Sequence, residues 1–163
     1  QHDFRVGGHA LEVKASLVRE GNRTKISSLE QLKEPQDGTL HLSLFKFLPA
    51  PEGDSLPKVV RRIKALNVDP LEFELLLLRS GYRAGFEDVY GAYALSISTE
   101  HTFDVTEPAF PRIVPGKFVQ AQVPDGVEQI SYVIDLAGKL NASLSQPQLD
   151  AVYACLAEGM TDA

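Results

Sequence analysis

The sequence contains no tryptophan, one methionine and one cysteine among its 163 residues. A lone Cys155 excludes an intrachain disulfide, and a reducing cytoplasm is the expected home of such a chain. Without tryptophan, the remaining aromatics read as core packing more than as platforms for stacked bases. Long hydrophobic runs are missing as well. Leu75-Leu76-Leu77-Leu78 falls far short of the roughly 20 apolar residues that a membrane-spanning helix needs, and no basic and apolar leader opens the sequence. Positive charge is also scarce. Sixteen Lys and Arg against 22 Asp and Glu leave a formal net charge of −6, which argues against a general nucleic-acid binder. It does not exclude an enzyme that meets nucleic acid through one local basic face, because a metal site is itself acidic. What is present, 44% apolar and 23% charged residues, fits a folded globular chain.

Two strands are expected at the start, over residues 2–6 and 9–16, joined by Gly7-Gly8, a pair suited to the positive φ of a tight hairpin. Residues 19–24 read as a loop. Ser27 with Glu30 three positions on forms a capping box, and Pro35 ends the short helix that follows. Thr39 to Phe47 is a strand apolar enough to be buried on both faces. Pro49-Ala50-Pro51 marks a change of character, with a core in residues 1–50 and a further α+β region in residues 51–163, packed on the core as one unit. In that region Leu56 to Leu66 is amphipathic, and Asp69-Pro70-Leu71-Glu72 opens a second helix that Gly81 stops. Strands are expected over 88–106 and 127–136, with a last helix from Gln146 to about Glu158. Because Gln1 and not Met opens the chain, we expect part of a longer protein to precede it, and this chain by itself to fold yet cut poorly.

The hairpin carries the chemistry. With Gly7-Gly8 as the turn, Val6 pairs with His9, Arg5 with Ala10, Phe4 with Leu11 and Asp3 with Glu12. Strand alternation then separates Phe4, Val6, Leu11 and Val13 from Asp3, Arg5, Glu12 and Lys14. Directly opposed residues have Cβ atoms about 5 Å apart, so two carboxylates repel there. A divalent cation reverses that sign, since Mg²⁺ favours one or two carboxylates together with water and phosphate oxygens. Lys14, two residues beyond Glu12 on the same face, is in reach of a bound phosphate or an attacking water. A wet amphipathic hairpin in which Arg5 or Lys14 neutralises the acids is the competing reading, and pattern alone leaves both open.

Elsewhere the signals are weaker. Lys58, Arg61, Arg62 and Lys64 form a basic helix face that could track a phosphate backbone, although a plain solvated face is the favoured reading. His9, His41 and His101 lack metal-ligand spacing and read as structural. Pro115-Gly116-Lys117 lacks the spacing of a phosphate-binding loop.

Asp3, eight intervening residues, then Glu12-Val13-Lys14 in an apolar strand resembles the D…ExK signature of PD-(D/E)XK nucleases. More narrowly, His2-Asp3-Phe4, Leu11 to Ser16, Ile26-Ser27-Ser28-Leu29-Glu30-Gln31-Leu32 and Phe110-Pro111-Arg112-Ile113 resemble a bacterial family of PD-(D/E)XK members associated with restriction-like phage-defence gene clusters. The resemblance implies a restriction-endonuclease-like α/β (α+β) fold, a mixed sheet flanked by helices. It further implies Mg²⁺, or Mn²⁺, held by Asp3, Glu12 and the carbonyl of Val13. Lys14 would position or activate water, and Gln31 would be a supporting polar side chain, against the plainer reading of a solvated helix position. DNA is the implied substrate, with other defence proteins or a second copy as possible partners. The alternative is a non-cleaving DNA- or protein-binding subunit. His2 stands where the proline that names the motif would be, and the helix that usually precedes this sheet is absent from the sequence.

Overall fold

The computed structural model describes residues 2–66 and 68–158. They divide into two compact units, residues 1–46 with 99–163, and residues 47–98.

In the first unit, β1 (Phe4–Val6) and β2 (His9–Leu17) form the expected antiparallel hairpin, with Phe4 opposite Leu11, Arg5 opposite Ala10 and Val6 opposite His9. Gly7 adopts φ +54° in the turn, where a side chain would be strained. β4 (Thr39–Ser55) follows β2 in the sheet order β1-β2-β4-β5, with β5 spanning Ala94–Asp104. His9 Nδ1 lies 2.9 Å from Thr39 Oγ1, and Lys46 Nζ donates to Ser16 Oγ at 2.6 Å; both pairs are 30 residues apart. A constant separation means that β2 and β4 run parallel. β5 returns antiparallel to β4, since Val105 N–H donates to Leu40 O and Ser43 Oγ meets Thr102 Oγ1. The sheet is therefore mixed, as expected.

A second, two-stranded antiparallel sheet joins β3 (Arg23–Ile26) to β6 (Tyr132–Asp135). The core unites both sheets: Ala10, Leu40, Leu42 and Leu44 meet Ile26, Leu32, Phe103, Ile134 and Leu136. The segment expected to loop over 19–24 instead holds a 3₁₀ turn, Val18–Glu20, and the start of β3. Thr24 and Ile26 are buried while Arg23 and Lys25 are exposed, a period-2 pattern too short to stand out from its polar surroundings. The helix expected after Ser27 is a single 3₁₀ turn, Leu29–Leu32, which buries Leu29 and Leu32. The final helix α4 (Gln146–Glu158) packs against β1 and β2. As a result Val6 and Val13 are half-buried, and only Phe4 of the hairpin's apolar set stays largely exposed.

Gly38 enters β4 across the hairpin turn. A Cβ there would sit 2.1 Å from Gly8 O and 3.0 Å from Gly8 C, while the next residue, Thr39, donates its N–H to that same Gly8 oxygen at 2.9 Å. Neither backbone can yield without losing the parallel register. Gly38→Ala is expected to destabilise the fold by about 2–4 kcal/mol, read as a lowered urea midpoint at unchanged slope.

In the second unit, α1 (Leu56–Lys64), α2 (Pro70–Arg79) and a short α3 (Glu87–Gly91) accompany residues 47–55 and 94–98. α2 starts as expected, with Asp69 accepting from Glu72 N–H at 2.8 Å and Pro70 in the first turn. The strand expected from 88 begins only at Ala94, because α3 occupies Glu87–Gly91. Likewise the strand expected over 127–136 contracts to β6. Among the described residues no helix is long and apolar enough to cross a membrane.

Candidate functional site

Asp3 lies just outside β1, where its Oδ2 accepts the N–H of Val13 at 2.8 Å. That bond holds the carboxylate against β2 even though the ladder begins one residue later. Glu12 is two residues beyond Ala10, on the strand face turned toward the core, and is only 2% exposed. Glu12 is thus interior while Asp3 and Arg5 on the same face stay exposed, because the β3–β6 layer and the Leu29–Leu32 turn help to cover the sheet beside Ala10. Lys14 reaches back to Glu12 Oε1 at 2.7 Å.

The ion pair satisfies only half of the carboxylate. Glu12 Oε2 is buried with no hydrogen-bond partner, a costly state for a charged oxygen. Burial pushes the Glu12 carboxyl above the usual glutamate range, and the Asp3 charge adds to the rise; the Lys14 hydrogen bond and charge oppose it. A cation is the chemical complement of such an oxygen, so the donor set fits a divalent metal. A single carboxylate pair is all that the sheet supplies: among the described residues no group of three or more His, Cys, Asp or Glu is placed to hold a metal.

Gln31 is not brought to the carboxylates by any described contact. Its Oε1 accepts the Ser27 N–H at 2.7 Å and so closes the entrance of the 3₁₀ turn, the capping role the sequence reading gave to Ser27 with Glu30. Two residues escaped the sequence reading as site members. His2 has a buried Nε2 without a partner and acts electrostatically on Glu12. Lys46, 4% exposed, projects from β4 on the Ser16 side of the sheet; a lysine inside an otherwise apolar strand was the available signal.

Around the site, Arg112 donates to Leu32 O at 2.9 Å and pairs with Glu34, tying the Pro-rich segment to the 3₁₀ turn. That contact explains the place of Arg112 in the Phe110-Pro111-Arg112-Ile113 segment. The scattered histidines have local roles: His9 meets Thr39, and burial holds His41 below the usual histidine range. In the second unit, Asp54 holds both Lys58 and Arg62, and Glu74 holds Lys64. This neutralisation favours the solvated-face reading of that helix.

No curated protein and no solved structure matches this chain. The model of the family described as "Putative PD-(D/E)XK family member, (DUF4420)" matches residues 1–137, which span the hairpin, the 3₁₀ turn and the Arg112 segment, and the chain belongs to that family.

Proposed function

We propose that this chain carries the active centre of a Mg²⁺-dependent nuclease that hydrolyses DNA phosphodiester bonds, in a cytoplasmic restriction or phage-defence system. Members of the PD-(D/E)XK superfamily are typically nucleases and generally use divalent metals such as Mg²⁺, and the mixed α+β fold is consistent with a restriction-endonuclease-like one. The observation that carries the reading is the buried, half-satisfied Glu12 carboxylate beside Asp3 and Lys14.

Asp3, Glu12 and the Val13 carbonyl would hold Mg²⁺ or Mn²⁺, which would supply Lewis acidity toward water and the phosphodiester. Asp3 is already oriented by the Val13 N–H, and Glu12 is held rigidly inside the sheet, so little ordering is left to be done on binding. With the metal as the counter-charge of Glu12, the Lys14 ammonium is free to donate to the attacking water or to the phosphoryl oxygens, where negative charge builds. Water oxygen bonds to phosphorus as one P–O ester bond breaks, and the departing oxygen takes up a proton. Gln31 supports this site only through the turn that it closes.

The alternative, a non-cleaving DNA- or protein-binding subunit, draws on one observation: no third acidic or histidine ligand joins the pair among the described residues. Plasmid cleavage in Mg²⁺ or Mn²⁺ by the protein in its complete reading frame decides between them. Nicking or linearisation that Glu12→Ala abolishes is expected. Intact plasmid bound by the wild-type protein would instead favour the non-cleaving subunit.

A further inference from the structure

A cavity of about 580 Å³ opens beside Asp3, lined by His2, Asp3, Arg5, Glu30, Lys33 and Glu34. Arg5 sits opposite Ala10 in the hairpin, so it shares a sheet face with Glu12 one pair further along β2. No described residue pairs with the Arg5 guanidinium, and the Lys33 ammonium makes no hydrogen bond or ion pair with the described residues. Glu34 is already engaged by Arg112. His2, whose Nε2 is buried without a partner, lines the cavity as well. Two cations without a hydrogen bond or ion pair to the described residues thus line a cavity that also contains Asp3, with Lys33 acting on Glu30 and Glu34 only through its charge.

Resting on the nuclease reading above, we propose that this cavity binds the phosphodiester next to the one being cut. Arg5 and Lys33 are its charged contacts. The charges agree with such a ligand. Asp3 and Glu30 balance Arg5 and Lys33, and Arg112 balances Glu34, so a metal at Asp3 and Glu12 leaves the cavity positive. Without the metal it is close to neutral. A strand is therefore held firmly here only when the metal is present. The cavity also explains why an exposed arginine stands on a sheet face next to a buried glutamate, a position where a purely structural hairpin gains nothing from it.

The test uses fluorescence anisotropy of a labelled single-stranded DNA 12-mer in Mg²⁺, in a Lys14→Ala background that keeps the metal ligands and slows turnover about 10²–10³-fold. Arg5→Ala with Lys33→Ala is expected to weaken binding about 10–100-fold at low salt. It should also make the slope of log K against log salt shallower by about 1.4, two contacts at roughly 0.7 each for single strands. Arg5→Lys with Lys33→Arg should restore the slope. Binding by the Lys14→Ala parent with slope and affinity unchanged in the double alanine variant would overturn the cavity and leave the nuclease reading standing. No binding by the parent or by the wild-type protein would overturn both. Competition by a mononucleotide as effective as competition by the unlabelled 12-mer would show a small-phosphate pocket, and would overturn the strand site.

Discussion

Glu12→Gln is expected to remove metal binding and cleavage together, while raising the stability of the metal-free protein at neutral pH. The folded-state pKa of Glu12 lies above its ordinary value, chiefly through burial and then through Asp3, against the pull of Lys14. The metal-free fold therefore holds the Glu12 proton more tightly than the unfolded chain does. Its contribution to stability is full below the ordinary glutamate range and is lost as pH rises through the raised value. Glutamine carries no charge at any pH, so the variant escapes that loss. The two proteins should differ most at pH values above the raised folded-state pKa and converge below the ordinary glutamate range. Metal reverses the order. At about 100 times its Kd a ligand contributes roughly 2.7 kcal/mol, a rise in Tm on the order of 5–10 °C for a chain of this size. Wild-type protein should show that rise with Mn²⁺ and Glu12→Gln should not, because its affinity falls by more than the roughly 10–100-fold that loss of a mere supporting group costs. Loss of several kcal/mol of Lewis-acid stabilisation lowers the cleavage rate about 10³-fold or more. Equal Mn²⁺ isotherms from titration calorimetry would remove Glu12 from the ligand set.

Lys14→Ala should separate chemistry from metal binding. A cation aimed at developing charge is worth about 10²–10³ in rate, so cleavage by the full-length protein should fall by that factor. In the metal-free fold Lys14 is also the ion-pair partner of Glu12, and its loss leaves burial and Asp3 to raise the Glu12 pKa against the charge of His2 alone. A metal must displace the Glu12 proton, so the pH at which Mn²⁺ binds should move upward in Lys14→Ala. At a pH high enough to ionise Glu12 in both proteins, the two affinities should stay within a few-fold. Lys14→Ala with wild-type cleavage would return this lysine to a structural role, that of neutralising a buried acid.

Several elements were legible because their signals are local. Gly7-Gly8 between two alternating segments determines the hairpin register, and that register dictates that Asp3 and Glu12 are neighbours. Asp69-Pro70-Leu71-Glu72 likewise carries its own helix start. β3 was not legible: its four residues become a strand only because β6, more than a hundred positions later, offers them a partner. The helical turn at Glu87–Gly91 was hidden among residues that read equally well as strand. Gln31 shows a different kind of miss. Its position in a motif-like segment suggested a link to the site, whereas a backbone N–H four residues away claims its side-chain oxygen.

The sequence by itself determined which residues share a face of the hairpin, because side-chain alternation and a two-glycine turn are properties of a few contiguous residues. Only the tertiary structure decided that Glu12 on this face is interior while Asp3 and Arg5 stay exposed, since burial depends on the β3–β6 layer that distant segments build over it. From that one difference follow the desolvated Glu12, its unpartnered oxygen, and its committed lysine. Charge pattern specifies which groups meet; the surroundings assembled from the rest of the chain set how strongly they need a cation.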